Sequence, residues 1–446
     1  MKSRSSRYFN RRDFLKVSAS GLLGAGISSQ ASAICQKGEQ QIPQISDFRF
    51  LGSTGFKVSC IGIGSSNRLE NFHETLLKTG MNYFDTSPLY GNETAVGNAI
   101  RSVDRDSVFI TVKFYPKVFS KEEFMSDIPF TTDEVLKSFY SSLEKLKTDY
   151  VDCFMFQSAS SSKMVKNKAF HDAFKQLKRD KKVKFCGIAC HGQYWIDEPN
   201  ESMEQICQTA IDDGRIDIIL LVYNFLQYDQ GERILKECAK KGIGTLVMKG
   251  NPILRYRAGL ESVKNLYEDS IPEGKPTRIT DKFKKEIDEF ENFKIKNGIK
   301  DESELSNSAI KFILDNPDVN SYLYGFKTYE SMQQVIPLSG QHLTARNKAL
   351  LTAYSEKFGS YYCRHACGIC ESACPHRVPV NRLLRYWHYY AGNGDEAYAI
   401  RKYNSFEGPK ANLCTKCEGF CQKLCPYGVH AKSLLINAHQ QLCLNA

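Results

Sequence analysis

Beyond residue 33 the 446-residue chain has no uncharged apolar run of about 18 residues, so no segment there is expected to span a bilayer. It also lacks the one-signed charge that nucleic-acid binding requires. The formal net charge is +10, and half of it comes from the first 33 residues, which hold six basic residues and one acid, Asp13. The remainder is small and evenly spread, which excludes a nucleic-acid groove. A dinucleotide fingerprint is missing too: Gly62-Ile63-Gly64-Ser65-Ser66-Asn67 does not complete G-x-G-x-x-G, which weighs against an open doubly wound sheet. With 42% apolar and 25% charged residues the chain is neither disordered nor collagen-like, and its length allows two or three domains. Cysteine is the residue in excess, with 16 copies.

The amino terminus reads as an address. Arg11-Arg12-Asp13-Phe14-Leu15-Lys16 is a twin-arginine run, followed by a weakly apolar stretch from Val17 to Ile27 and by Ala31-Ser32-Ala33, an A-x-A cleavage pattern. A lipid anchor on Cys35 is disfavoured because Ile34 is too bulky for the small residue expected before it. Residues 1–33 are therefore expected to be a twin-arginine signal peptide and 34–47 a linker, with the mature protein periplasmic and without a transmembrane anchor. That route carries folded proteins, often with a metal cofactor already inserted.

Eight cysteines fall in two runs near the carboxyl end: Cys363-x3-Cys367-x2-Cys370-x3-Cys374-Pro375 and Cys414-x2-Cys417-x3-Cys421-x3-Cys425-Pro426. Disulfides are common in exported proteins, yet disulfide frameworks rarely repeat short spacings that end twice in Cys-Pro. Zinc can take four cysteines per run, but its usual knuckles are paired C-x2-C units. Three thiolates from a tight loop and a fourth before a proline suit a [4Fe-4S] cube, the fourth ligating the other cluster. By that rule Cys363, Cys367, Cys370 and Cys425 hold one centre and Cys414, Cys417, Cys421 and Cys374 the other. The x3 spacings after Cys363 and Cys417 depart from the two-residue ferredoxin spacing and leave this partition open. Between the runs, residues 380–403 read as two helices, whose Tyr386, Trp387, Tyr389 and Tyr390 are expected to pack around the clusters. His365, His376 and His430 are expected to be hydrogen-bonded or exposed rather than ligands. The other eight cysteines show no pairing logic and read mostly as small buried hydrophobes.

From about residue 48 to 333 short β-rich runs alternate with amphipathic stretches. The runs are 59–64, 83–85, 108–113, 150–157, 184–189, 216–222, 244–248 and 321–325; helical patterns include 132–147, 166–179, 203–213 and 232–241. Eight runs with helices between them predict a closed (β/α)8 TIM barrel, with chemistry at the carboxyl ends of the strands. Those ends are Asp85, Lys113, Gln157, Ala189 with His191, Asn224, Met248 with Lys249, and Gly325 with Lys327. Tyr90 follows Asp85 in the adjoining loop. An acid, a lysine and a phenol at adjacent strand ends make a proton-transfer device: the acid holds the lysine, and the ammonium is expected to favour phenolate and lower the tyrosine pKa.

Phe48-Arg49-Phe50-Leu51-Gly52-Ser53-Thr54-Gly55-Phe56-Lys57-Val58-Ser59, Phe84-Asp85-Thr86-Ser87-Pro88-Leu89-Tyr90-Gly91 and residues 142–152 (SLEKLKTDYVD) resemble signatures of the aldo-keto reductase family. The cysteine-rich tail resembles the subgroup with a ferredoxin-type domain. The resemblance implies an α/β fold with the barrel over 48–340, a connecting helix over 341–359, and a small α-helical ferredoxin-like iron–sulfur domain over 360–446. It also implies NADP(H)-linked carbonyl reduction by a tetrad, three members of which fall on Asp85, Tyr90 and Lys113. The fourth does not match: Gln157 stands where the family has histidine, and an amide cannot carry a proton at neutral pH. Ala189, Leu220 and Met248 replace the serine, glutamine and stacking aromatic of the nicotinamide pocket. Ser331 and Val335 replace the usual glutamine and asparagine near the 2′-phosphate. Lys249, Gly325 and Lys327 remain as candidate nucleotide-phosphate contacts, so NADP(H) binding is retained as an expectation with a degraded pocket.

An exported enzyme would not meet a free NADPH pool, and iron–sulfur centres offer one-electron exchange instead. The expected function is a periplasmic oxidoreductase acting on a carbonyl, alcohol or sugar-like small molecule, with two [4Fe-4S] clusters passing electrons to or from a redox partner protein. The alternative is a catalytically impaired barrel serving as an electron-transfer or binding subunit. Loops 114–130 and 253–280 are expected to shape the substrate pocket.

Overall fold

Strands Phe109–Phe114 and Val151–Phe156 are buried at every position, as parallel strands are when helices cover one side and other strands the opposite one. The helices between them carry their own start and stop signals. Thr131 and Glu134 close a capping box at the head of Thr132–Leu146, and Ser202 and Gln205 do the same for Met203–Asp213, which ends on left-handed Gly214. The computed structural model describes residues 42–64, 70–116, 130–192, 201–253, 288–301, 303–392 and 396–444. The expected leader over 1–33 and most of the two expected pocket loops lie outside the described residues.

An antiparallel hairpin, β1 (Phe48–Phe50) and β2 (Lys57–Ser59), precedes the barrel. Eight parallel strands then close on themselves: β3 (Ile61–Ile63), β4 (Tyr83–Asp85), β5 (Phe109–Phe114), β6 (Val151–Phe156), β7 (Val183–Cys190), β8 (Ile218–Val222), β9 (Gly244–Met248) and β10 (Ser321–Tyr324), with β10 between β9 and β3. The expected α/β barrel is therefore the observed fold. The run expected over 59–64 divides, because Ser59 pairs with Phe48 in the hairpin and the barrel strand starts at Ile61. Leu51 and Val58 join Tyr83, Phe109, Met155 and Leu246 in the apolar interior, so the hairpin plugs the amino-terminal end. Glycine is required at Gly52: its φ is +50°, and a Cβ there would lie 2.3 Å from the Gly244 nitrogen.

Cys60, Cys153, Cys186, Cys190, Cys207 and Cys238 are buried free thiols in the barrel, packed as small hydrophobes. Beyond the barrel, helix Ala345–Phe358 buries Leu350, Leu351, Tyr354 and Phe358 against Phe225, Leu226 and Leu305. Helices Val380–Ala391, Glu396–Ser405 and Ala431–Leu442 enclose a separate apolar core that includes Leu383, Trp387, Tyr403 and Leu435. Tyr386, Trp387 and Tyr390 sit in that core, whereas Tyr389 packs at its edge. From Pro43 onward the chain is one compact unit. No helix among the described residues is long and apolar enough to cross a membrane.

Candidate active site and cysteine cradles

Asp85 ends β4, Lys113 lies near the end of β5, and Gln157 follows β6. The turn that brings Tyr90 back over them is built locally. Thr86 donates through both its backbone N–H and its hydroxyl to the Thr111 carbonyl on β5 (2.8 and 2.9 Å), and the Tyr90 N–H closes a turn onto the Ser87 carbonyl at 2.9 Å. Lys113 and Asp85, each 1% exposed, form an ion pair. Lys113 Nζ also donates to the Thr86 carbonyl at 3.3 Å and lies 3.5 Å from the Tyr90 hydroxyl. The structure thus brings together the acid, the lysine and the phenol. Asp85 Oδ1 is buried without a hydrogen-bond partner among the described residues.

The electrostatics correct one expectation. Lys113 does pull the Tyr90 hydroxyl toward phenolate, but burial outweighs it and the Asp85 carboxylate adds to burial, so the phenol is raised above its ordinary value. Burial likewise raises the Asp85 carboxyl against the pull of Lys113. Burial works against the Lys113 charge, and Asp85 and Tyr90 more than offset it, so Lys113 stays an ammonium. The site therefore presents a neutral phenol beside a fixed cation, an arrangement that favours proton donation.

Gln157 is buried, and its Oε1 accepts from the Ser87 hydroxyl at 2.6 Å. That bond orients the amide and leaves its nitrogen as a donor without a partner among the described residues. Ser87 was not singled out from the sequence; its place in the signature next to Pro88 was the available signal.

Further round the barrel the walls are apolar. Ala189 and Leu220 are paired in the sheet and belong to the interior cluster, and Met248 packs on it. A nicotinamide carboxamide placed there would lose partners at about 1–3 kcal/mol for each unpaired group, so these residues do not fit that end of the expected nucleotide. The three candidate phosphate contacts are dispersed in character. Gly325 and Lys327 are exposed after β10, whereas Lys249, in a left-handed backbone conformation (φ 57°), reaches the Tyr389 hydroxyl of the carboxyl-terminal region at 3.3 Å.

That region is fastened to the carboxyl-terminal mouth of the barrel. The Gln227 side chain accepts from the His365 N–H at 2.7 Å and donates to its carbonyl at 3.1 Å. Arg364 donates to the Leu226, Gly359 and Tyr362 carbonyls. Asn224 donates to the Lys249 carbonyl (2.9 Å) and to the Tyr362 hydroxyl (3.4 Å). Gly192, φ +97°, allows a close approach, since a Cβ there would lie 2.9 Å from the Ala366 carbonyl oxygen. The His191 and His365 rings stand 5.1 Å apart. His376 and His430 are exposed.

Two cavities gather the eight cysteines. Cys363, Cys367, Cys370 and Cys425 line one, and Cys374, Cys414, Cys417 and Cys421 the other, so each takes three sulfurs from one run and one from the other. No three His, Cys, Asp or Glu side chains among the described residues converge on one point as ligands of a single ion would. Donors already face the sulfurs: Asn381 Nδ2 lies 3.2 Å from Cys363 Sγ, the Val378 N–H 3.3 Å from Cys374 Sγ, and the Gly419 N–H 3.4 Å from Cys417 Sγ. Hydrogen bonds to ligand sulfurs are one means by which proteins tune such clusters. These residues fit the expected group.

Residues 64–355 match the aldo/keto reductase family. The chain is similar to L-galactose dehydrogenase of Arabidopsis thaliana, 30% identical over 162 residues that cover 32% of this chain and 48% of that protein. It is also similar to the methylglyoxal reductase DkgB of Salmonella typhi, 32% identical over 118 residues, 26% of this chain and 40% of that one. The matched segments thus span less than half the length of either relative. An aldo-keto reductase from Bacillus halodurans, solved in its holo form, aligns with a TM-score of 0.45 at 18% identity, covering 69% of this chain and 95% of that one. With a matched segment longer than half its length, this chain belongs to the aldo/keto reductase family.

Proposed function

We propose that the protein is an oxidoreductase acting on the carbonyl or alcohol group of a small molecule, with Tyr90 exchanging the proton of the substrate oxygen. The observation that carries this reading is the shared position of Lys113 Nζ, paired with Asp85 and 3.5 Å from the Tyr90 hydroxyl. Its relatives are a dehydrogenase and a reductase by name, which supports the same class. In reduction the carbonyl carbon would take a hydride from a bound two-electron carrier of flavin or nicotinamide class, which the clusters would recharge one electron at a time, and the neutral phenol gives its proton to the carbonyl oxygen. Lys113 stabilises the phenolate left behind, and Asp85 keeps Lys113 charged and in place. Gln157 donates a hydrogen bond to the same oxygen and orients it without moving a proton. The apolar Ala189 and Leu220 speak against free NADP(H) as the electron source, and no step is assigned to it.

Cys363, Cys367, Cys370 and Cys425 would hold one [4Fe-4S] cluster and Cys374, Cys414, Cys417 and Cys421 the second. Bound there, the clusters supply one-electron exchange with a redox partner protein. The twin-arginine run and A-x-A pattern support export to the periplasm with the clusters already in place. The missing histidine at Gln157 favours the second reading, a barrel kept for electron transfer or binding alone. Anaerobic purification of the exported form, identification of any bound flavin or nucleotide, and turnover of Tyr90→Phe decide between them. Loss of turnover in Tyr90→Phe is expected; wild-type rates in that variant would sink the enzymatic reading.

A further inference from the structure

A side-chain amide has two ends of the same shape, a carbonyl that accepts and an NH2 that donates, so its neighbours decide which end faces the reacting oxygen. At Gln157 that decision falls to Ser87. Ser87 is fully buried, and its hydroxyl has a single proton to place. The hydroxyl oxygen already accepts from the Leu89 N–H at 3.2 Å, and the proton goes to Gln157 Oε1 at 2.6 Å. The opposite orientation of the amide would set Nε2 against the hydroxyl and strand the serine proton without an acceptor, a buried loss that folded proteins avoid. The backbone of the same serine anchors the phenol, since the Tyr90 N–H closes onto the Ser87 carbonyl at 2.9 Å. On the neighbouring strands Lys113 is in register with Met155, and the Gln157 N–H bonds to the Phe114 carbonyl at 2.9 Å. Gln157 therefore stands one strand from Lys113, whose Nζ lies 3.5 Å from the Tyr90 hydroxyl. Its Nε2 is a donor without a partner among the described residues, on a side chain only 7% exposed.

We propose that Ser87 is a positioning residue that holds the NH2 end of Gln157 toward the oxygen on which Tyr90 acts, so that the site selects the carbonyl form of its substrate over the alcohol. A carbonyl oxygen has two in-plane lone pairs and no proton. The Gln157 N–H and the Tyr90 O–H supply one donor to each. An alcohol oxygen brings a proton of its own into a space that already holds the hydrogens of two donors. A histidine in this place could donate or accept according to its tautomer, whereas an amide pinned by Ser87 only donates. The exchange of histidine for Gln157 thus gives up a proton carrier and gains a fixed polarity. That polarity also matches the negative charge that gathers on the oxygen as the carbonyl is reduced. The inference rests on the reading of Tyr90 as the proton-transfer group and assigns Ser87 and the preferred substrate form to the same site.

Neutron diffraction from deuterium-exchanged crystals of the full exported chain locates the protons directly. A deuteron is expected on the line from Ser87 Oγ to Gln157 Oε1, with those of Nε2 directed away from Ser87. A deuteron running from Nε2 to Ser87 overturns the proposal. Cyclohexanone and cyclohexanol, alike in size and different only at the oxygen-bearing carbon, are the probes for calorimetric titration. The ketone is expected to bind about fivefold more tightly than the alcohol, the worth of roughly one hydrogen bond. Ser87→Ala frees the amide to turn over, so the preference should shrink to about twofold or reverse. Ser87→Thr keeps the hydroxyl and should keep the preference. A serine that merely supports the fold would weaken both probes alike; an unchanged ratio in Ser87→Ala therefore overturns the proposal, as does equal binding, or none, in the wild type. Should Ser87→Ala fail to fold, as judged by thermal unfolding, the neutron map and the wild-type ratio carry the test. Tyr90→Phe separates the two readings: full turnover in that variant sinks the proton-transfer role, whereas the deuterons between Ser87 and Gln157 are located independently of it.

Discussion

Gln227 and His365 exchange two hydrogen bonds, the side-chain amide of one matching the backbone N–H and carbonyl of the other as a neighbouring strand would. A glutamine on the loop after β8 thereby holds the first cysteine run against the barrel mouth. Gln227→Ala leaves both backbone groups unpaired, at about 1–3 kcal/mol each. Hydrogen exchange is the measurement: protection over residues 362–366 is expected to fall while that of β5 and β6 stays unchanged. Equal protection in the variant would mean the contact contributes nothing to docking.

Lys113→Met removes the partner of a buried carboxylate. Breaking a buried pair on one side costs about 3–5 kcal/mol, so a large drop in thermal stability is expected. Asp85→Asn combined with Lys113→Met should recover much of that stability and none of the activity. A single variant as stable as wild type would show that Asp85 is already protonated.

Because burial and Asp85 raise Tyr90 above its ordinary value, the phenol keeps its proton throughout the neutral range. Carbonyl reduction should therefore hold its rate up to about pH 10, while alcohol oxidation, which needs the phenolate, should climb by about tenfold per pH unit below that point. Rates in both directions between pH 6 and 10, with an artificial electron donor or acceptor, give the comparison. Reduction that already falls as pH rises toward 8, with oxidation levelling off at the same point, would mean that Lys113 dominates after all.

The crossed arrangement of sulfurs has an analytical signature. Anaerobically purified protein should contain about eight iron and eight sulfide per chain. Cys425→Ser should disturb the same centre as Cys363→Ser, despite the 62 positions between them in the chain. Paramagnetic resonance of the two variants is expected to coincide and to differ from that of Cys374→Ser.

His171 is buried, its Nε2–H donates to the Val165 carbonyl (2.8 Å), and burial pushes the imidazole below its ordinary value. The unfolded chain takes up this proton near pH 6.5 and the folded chain only at lower pH. Stability is therefore full above about 6.5 and declines as pH falls through the window below it, by up to about 1.4 kcal/mol per unit for this proton. Unfolding midpoints from pH 7.5 to 5.5 should fall less steeply in His171→Gln than in wild type.

Much of the barrel was legible because its signals are local. Eight buried runs with helices between them repeat a pattern that only a closed parallel sheet satisfies, and the capping residues of Thr132–Leu146 and Met203–Asp213 mark their helices directly. The hairpin β1–β2 was missed as structure because three-residue strands carry almost no periodicity. Asp85, Tyr90 and Lys113 could be named because each lies at, or shortly after, the carboxyl end of a strand.

The order of strands, the identity of the strand-end residues and the two cysteine runs are properties of the sequence, since they depend on spacing along the chain. The folded structure alone decided the sign of the Tyr90 shift, because desolvation and the nearness of Asp85 are quantities of three-dimensional packing. It also decided that the cavity lined by Cys363, Cys367, Cys370 and Cys425 lies at the barrel mouth. The contact that seats it there joins Gln227 to His365, 138 positions apart, a range over which spacing carries no information and only burial and hydrogen-bond satisfaction choose the partner.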